Sequence, residues 1–140
     1  MPDSSTGAST PFRRAARPAL ASAWAGLIFA ASSRPDLRVS EDDVLDFVLR
    51  KAAHLFVFGV LALLVARALH GEGIRRGRSL AVAWVATIAY AVTDEWHQSF
   101  VEGRVGHLND VVIDAAGATL ALALLHRTWR REPATARMPP

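Results

Sequence analysis

Four dense apolar runs separated by short polar stretches leave this chain few ways to fold: residues 18–31, 52–69, 80–92 and 111–125. Each is short or marginal against the ~20 residues that cross a ~30 Å hydrocarbon core, so a soluble helical bundle is the competing solution. The circumference of the runs decides between them. Residues 55–65, Leu-Phe-Val-Phe-Gly-Val-Leu-Ala-Leu-Leu-Val, have no polar face, whereas a helix at a protein–water surface needs one. The expected fold is therefore all-α, an integral membrane bundle of four transmembrane helices plus a short amphipathic surface helix.

At 140 residues without internal repeats, one domain is expected. Residues 1–12 are small and polar and read as a disordered tail, 13–127 as the four-helix membrane domain, and 128–140 as a basic disordered tail. Fifteen arginines and one lysine give a formal charge of +3. They cluster at the ends of the apolar runs rather than along one helix face, which argues for membrane lipids as partners and against nucleic acid. With no cysteine, neither a disulfide nor a thiolate metal site can form.

Along the chain, Arg13, Arg14 and Arg17 precede Pro18, whose missing N–H suits a first helical turn. Residues 13–33 also have the layout of a secretory signal. Against cleavage, Ser22, Gly26 and Ala30 form a small-residue stripe suited to close helix contact in lipid. Arg34-Pro35 ends this helix. Ser40 then reads as an N-cap with Asp43 reaching back, opening a surface helix of Val44, Leu45, Phe47, Val48 and Leu49 with Asp46 on its polar side. Lys51 and His54 share a face of the second span, and the glycine-rich, arginine-rich stretch 70–78 is a short turn. Thr87, Tyr90, Asp94 and His97 or Gln98 make a polar stripe on the third span. Asn109 is an expected N-cap for the fourth, on which Asp110, Asp114, Gly117 and Ala121 share a face. Trp24, Trp84, Trp96 and Trp129 read as packing or interface anchors.

Eleven basic residues fall on the side of the termini and the 70–78 turn, and five on the other. By the positive-inside rule four spans with both termini cytoplasmic are expected. Lys51, His54, Asp94, Glu95, His97, Gln98, Arg104, Asp110 and Asp114 then gather at the outer face. Ionisable groups at such a depth are functional candidates by default. One reading is recognition of an anion or lipid headgroup, with Lys51 and Arg104 as cations, His54 and His97 as donors, and the acids orienting them. A second is a divalent metal site drawn from Asp94, Glu95, His97, His107, Asp110 and Asp114, foremost Asp94, His97 and Asp110. There Glu95 and His97 are the catalytic candidates for a phosphoester reaction at the membrane surface. The plain alternative is that these groups only pair across helices to fix the bundle.

Three stretches carry a resemblance: Lys51-x-x-His54, Asp94-Glu95-x-His97-Gln98-x-Phe100 with Gly103-Arg104, and Asp110-x-x-x-Asp114-x-x-Gly117. Together they resemble the VanZ-like family over roughly residues 32–125. The resemblance implies a small bacterial integral membrane protein of the cell envelope. The founding member of that family is linked to teicoplanin resistance, and the family has no established reaction. A glycopeptide antibiotic is the partner it implies, beside the lipid-linked envelope precursors that suit the anion reading; no cofactor is expected unless the divalent metal of the second reading is bound. Arg50 stands where the family often has an acid, Glu102 where it often has proline, and Asp114 where asparagine is frequent, so this chain carries an additional carboxylate.

Overall fold

The computed structural model describes residues 11–35, 40–102 and 108–131. They form four helices and, among the described residues, no strand: α1 (Pro11–Ser32), α2 (Asp43–Gly71), α3 (Arg76–Gln98) and α4 (Leu108–Arg131). The chain runs up and down, so α2 and α4 are parallel to each other, and α1 and α3 oppose them. α2 is the central element, packed against all three others and most extensively against α4.

Several expectations need correction at the level of single elements. Pro18 lies inside α1, not in its first turn. The preceding Arg13-Arg14-Ala15-Ala16-Arg17 is rich in good helix formers, which carry the helix across the bond that proline removes. Ser22, Gly26 and Ala30 face outward, and a Cβ built on Gly26 would meet nothing within 4 Å. α1 instead contacts its neighbours through Trp24, Ala25 and Ile28. The surface helix is not a separate element: residues 43–50 are the first turns of α2. No glycine or proline interrupts the chain from Asp43 to Phe58, so continuing the helix is easier than nucleating a second one. Its N-cap is Asp42, whose Oδ1 accepts from the Val44 and Leu45 amides at 2.9 Å, while Ser40 Oγ accepts from the Asp42 amide. Asp46 is buried, not on an exposed polar face. Residues 128–131, expected in the tail, are the last turn of α4, and residues 11–12 are already helical. The remaining tail assignments, 1–10 and 132–140, lie outside the described residues.

The α2–α3 turn closes through Gly73, at φ 88°, a left-handed conformation that a side chain would oppose. At this lower end Arg76 Nη1 donates to the Trp129 carbonyl at 2.5 Å, and the His70 ring lies 4.8 Å from the Trp129 ring. Trp129 is thus a packing anchor.

The distribution of side chains is inverted relative to a water-soluble bundle. The interior mixes small residues, Ala62, Ala66, Ala83, Ala91 and Ala118, and polar ones, Ser79, Thr87, Asp94, Glu95, Gln98 and Asp114, with a few large apolar side chains such as Ile28, Phe58, Leu61 and Leu122. Large apolar residues in mid-helix point outward, and Leu27, Phe56, Val85, Leu120 and Leu124 are each more than half exposed. Close backbone approach through small residues, with polar groups inside, is how helices associate in lipid. α2 and the part of α4 from Asn109 to Arg131 are long and apolar enough to cross a membrane.

Candidate functional site

The register of α2 against α4 is set by two glycines. A Cβ on Gly117 would sit 2.1 Å from the Leu55 carbonyl oxygen, and one on Gly59 would sit 3.2 Å from the Gly117 carbonyl oxygen. Only glycine at 117 lets the backbones come this close. Because the helices are parallel, stepping toward both N-termini brings like positions together. His54 Nδ1 lies 3.1 Å from Asp114 Oδ1, and one turn further Lys51 Nζ is paired with Asp110 Oδ1. The shared faces of Lys51 with His54 and of Asp110 with Asp114 thus become two cross-helix pairs. Asp114 is fully buried. The His54 ring is nearly parallel to the buried Phe58 ring, at 6.1 Å, and Lys51 Nζ lies 5.2 Å from the Phe47 ring centre.

A second group forms where the end of α1 meets the end of α3. Asp94 Oδ2 accepts from Ser32 Oγ at 2.9 Å and from Gln98 Nε2 at 2.8 Å. Ser33 Oγ lies 3.0 Å from His97 Nε2, whose ring also packs 4.5 Å from Phe29. One turn deeper, Tyr90 donates to the Ala25 carbonyl at 2.7 Å, and Trp24 Nε1 donates to the Val57 carbonyl at 2.9 Å. Ser32 and Ser33 went unnoticed in the sequence, where they look like ordinary small residues. The signal was the Arg34-Pro35 stop, which places the last turn of α1 level with the end of α3. Asp46 was also missed: buried, it meets Arg50 at 2.7 Å and accepts from the Ser40 amide.

The nine sequence-predicted residues therefore divide. Lys51, His54, Asp110 and Asp114 form the α2–α4 pairs; Asp94, His97 and Gln98 belong to the α1–α3 group; Glu95 is buried and lies beside His54 and Asp114. Arg104 lies outside the described residues, as does His107. The metal set foreseen as Asp94, His97 and Asp110 is not brought together. Among the described residues the group with ligand-like spacing is His54, Glu95 and Asp114, one from each of α2, α3 and α4, with donor atoms all within 4.8 Å of one another. Among the described residues, Asp94 Oδ1 and Asp114 Oδ2 are buried and have no hydrogen-bond partner, so each can accept a hydrogen bond or hold a cation.

Beside the α1–α3 group lies a groove of about 450 Å³, lined by Phe29, Tyr90, Thr93, Asp94, Trp96, His97 and Phe100. Its lining is mostly aromatic, with His97 and the buried Asp94 among its polar members. Trp96 and Phe100 meet edge to face at 5.4 Å and are both largely exposed.

Buried charges and small residues among the packed helices, many large apolar side chains facing outward and an ionisable layer at one end define an all-helical membrane protein with polar groups in its core. The family model described as VanZ/LLP1 matches residues 5–130, and the chain belongs to that family. Neither a curated protein nor a solved structure matches it.

Proposed function

We propose that this is a four-span protein of the bacterial cytoplasmic membrane, with both termini inside. Its outer polar layer and adjoining groove recognise a lipid-linked component of the cell envelope. The observation that carries the reading is the groove itself, lined by the aromatic rings of Phe29, Tyr90, Trp96 and Phe100 together with His97. That composition suits a hydrocarbon tail lying against Phe29, Trp96 and Phe100 and a polar head at the imidazole. The outward-facing apolar residues of α1 and α3, Leu20, Leu27, Val82 and Val85 among them, support spans for these two helices beyond the two identified by length and apolarity. The skew of basic residues supports the orientation. The link of the founding member to teicoplanin resistance supports an envelope ligand.

The test is lipid retention by the detergent-purified protein in native mass spectrometry, followed by titration with the retained lipid. Trp96→Ala and Phe100→Ala each remove an exposed aromatic worth about 1.5 kcal/mol of contact, so affinity should fall roughly tenfold with little change in stability. Unchanged retention in both variants would refute the groove as the binding site.

A second reading is metal-assisted phosphoester chemistry at the same layer, with Glu95 among the metal ligands and His97 the remaining catalytic candidate. The observation that favours it is the His54, Glu95, Asp114 group.

A further inference from the structure

The three helices that meet under the Lys51–Asp110 pair each contribute one group capable of binding a cation. His54 offers a ring nitrogen from α2, Glu95 a carboxylate oxygen from α3 and Asp114 a carboxylate oxygen from α4, all within 4.8 Å of one another. Asp114 is fully buried, and its Oδ2 has no hydrogen-bond partner among the described residues. A carboxylate oxygen withdrawn from water into hydrocarbon and left so is energetically expensive. The other Asp114 oxygen, Oδ1, meets His54 Nδ1 at 3.1 Å, and the Lys51 ammonium is held by Asp110 one turn away.

We infer that His54, Glu95 and Asp114 form a binding site for a divalent transition-metal ion of the zinc or manganese type, tying α2, α3 and α4 together. Three features fix the chemical class. One imidazole with two carboxylates is a mixed nitrogen and oxygen set that suits zinc or manganese better than magnesium or calcium, which prefer oxygen alone. With a neutral imidazole the three groups carry a formal charge of −2, matching a dication. Donors around a tetrahedral zinc lie about 3.4 Å apart, from bond lengths of about 2.1 Å, so small side-chain rotations would close the present spacing. His54 keeps 22% of its side chain accessible, which leaves an approach from the outer end. Asp94, His97 and Asp110 take no part. The inference does not depend on the groove binding a lipid.

The experiment is metal content of the full-length protein in detergent, equilibrated with zinc or with manganese, freed of excess and measured by elemental analysis. Near-stoichiometric metal is expected in the wild type. It should fall at least about tenfold in His54→Gln and in Asp114→Asn, since even residues supporting a ligand cost that much. It should be retained in Asp94→Asn and His97→Ala. As a readout that needs no variant, the retained metal should raise the melting temperature of the wild type, and chelator should reverse the shift. A wild type that holds neither metal and shows no such shift would overturn the site. So would equal loss in Asp94→Asn and Asp114→Asn when both variants remain folded.

Discussion

Gly117→Ala is the most demanding test of the packing that assembles the polar layer. The added methyl would meet the Leu55 carbonyl oxygen at 2.1 Å, with the Leu55 carbonyl carbon and Cα at 2.8 and 3.0 Å. These are backbone atoms of α2, so no side-chain rotation relieves the contact. Reaching even the 3.0 Å floor for real Cβ contacts moves one helix by 0.9 Å. The same displacement carries the His54–Asp114 contact from 3.1 Å to about 4 Å, outside hydrogen-bonding distance. Overpacking of this kind costs about 1–3 kcal/mol, and loss of the His54–Asp114 bond about 1 kcal/mol more. Together these predict a drop in melting temperature on the order of 10 °C for a chain of this size. Thermal unfolding in one detergent, followed by near-ultraviolet circular dichroism, reads it directly. Gly59→Ala is the control: its nearest contact is 3.2 Å, a few tenths of an ångström of adjustment, and its shift should be the smaller by at least half. If Gly117→Ala melts with the wild type, the close α2–α4 approach is wrong, and with it the register that pairs Lys51 with Asp110.

Other expectations follow from single contacts. Lys51→Met and Asp110→Leu should each destabilise by roughly 1–3 kcal/mol, because each leaves a partly buried charge without its partner. The double variant should recover much of the loss in a double-mutant cycle. Ser32→Ala removes a donor from buried Asp94 and should cost about 1–2 kcal/mol, whereas Ser22→Ala, on the outward face of α1, should be neutral in the same melt. Because the chain has no cysteine, single cysteines report topology without background. Glu102→Cys should react with a membrane-impermeant maleimide in intact cells, and Glu72→Cys only after permeabilisation; the reverse pattern would invert the proposed orientation.

The helices themselves were legible because each apolar run is bounded by proline, glycine or a polar cluster. The pairing of residues 51 and 54 with 110 and 114 was half legible: equal faces and equal depths were readable, but the partner was not. Register between α2 and α4 depends on where Leu55 meets Gly117, a contact between residues far apart in sequence that periodicity does not encode. The stripe of Ser22, Gly26 and Ala30 was misassigned for a related reason. Small residues permit close approach but do not compel it, and in α1 the bonds of Trp24 and Ser32 turn the opposite face inward. Asp46 misled in its own way, since an acid beside five apolar residues looks like the wet side of a surface helix until Arg50 at i+4 and the Ser40 amide are seen to enclose it.

The pairs that join α2 to α4 span 59 and 60 residues of sequence, and that separation sets an order of events during synthesis. Lys51 and His54 emerge long before Asp110 and Asp114 exist, so α2 must enter the bilayer with its ammonium and imidazole served by water or headgroups. Only when α4 is made, parallel to α2, do its carboxylates find those groups. A late step of assembly is thus written into the charge balance: an intermediate lacking α4 displays Lys51 and His54 without these partners, and arrival of α4 conceals them.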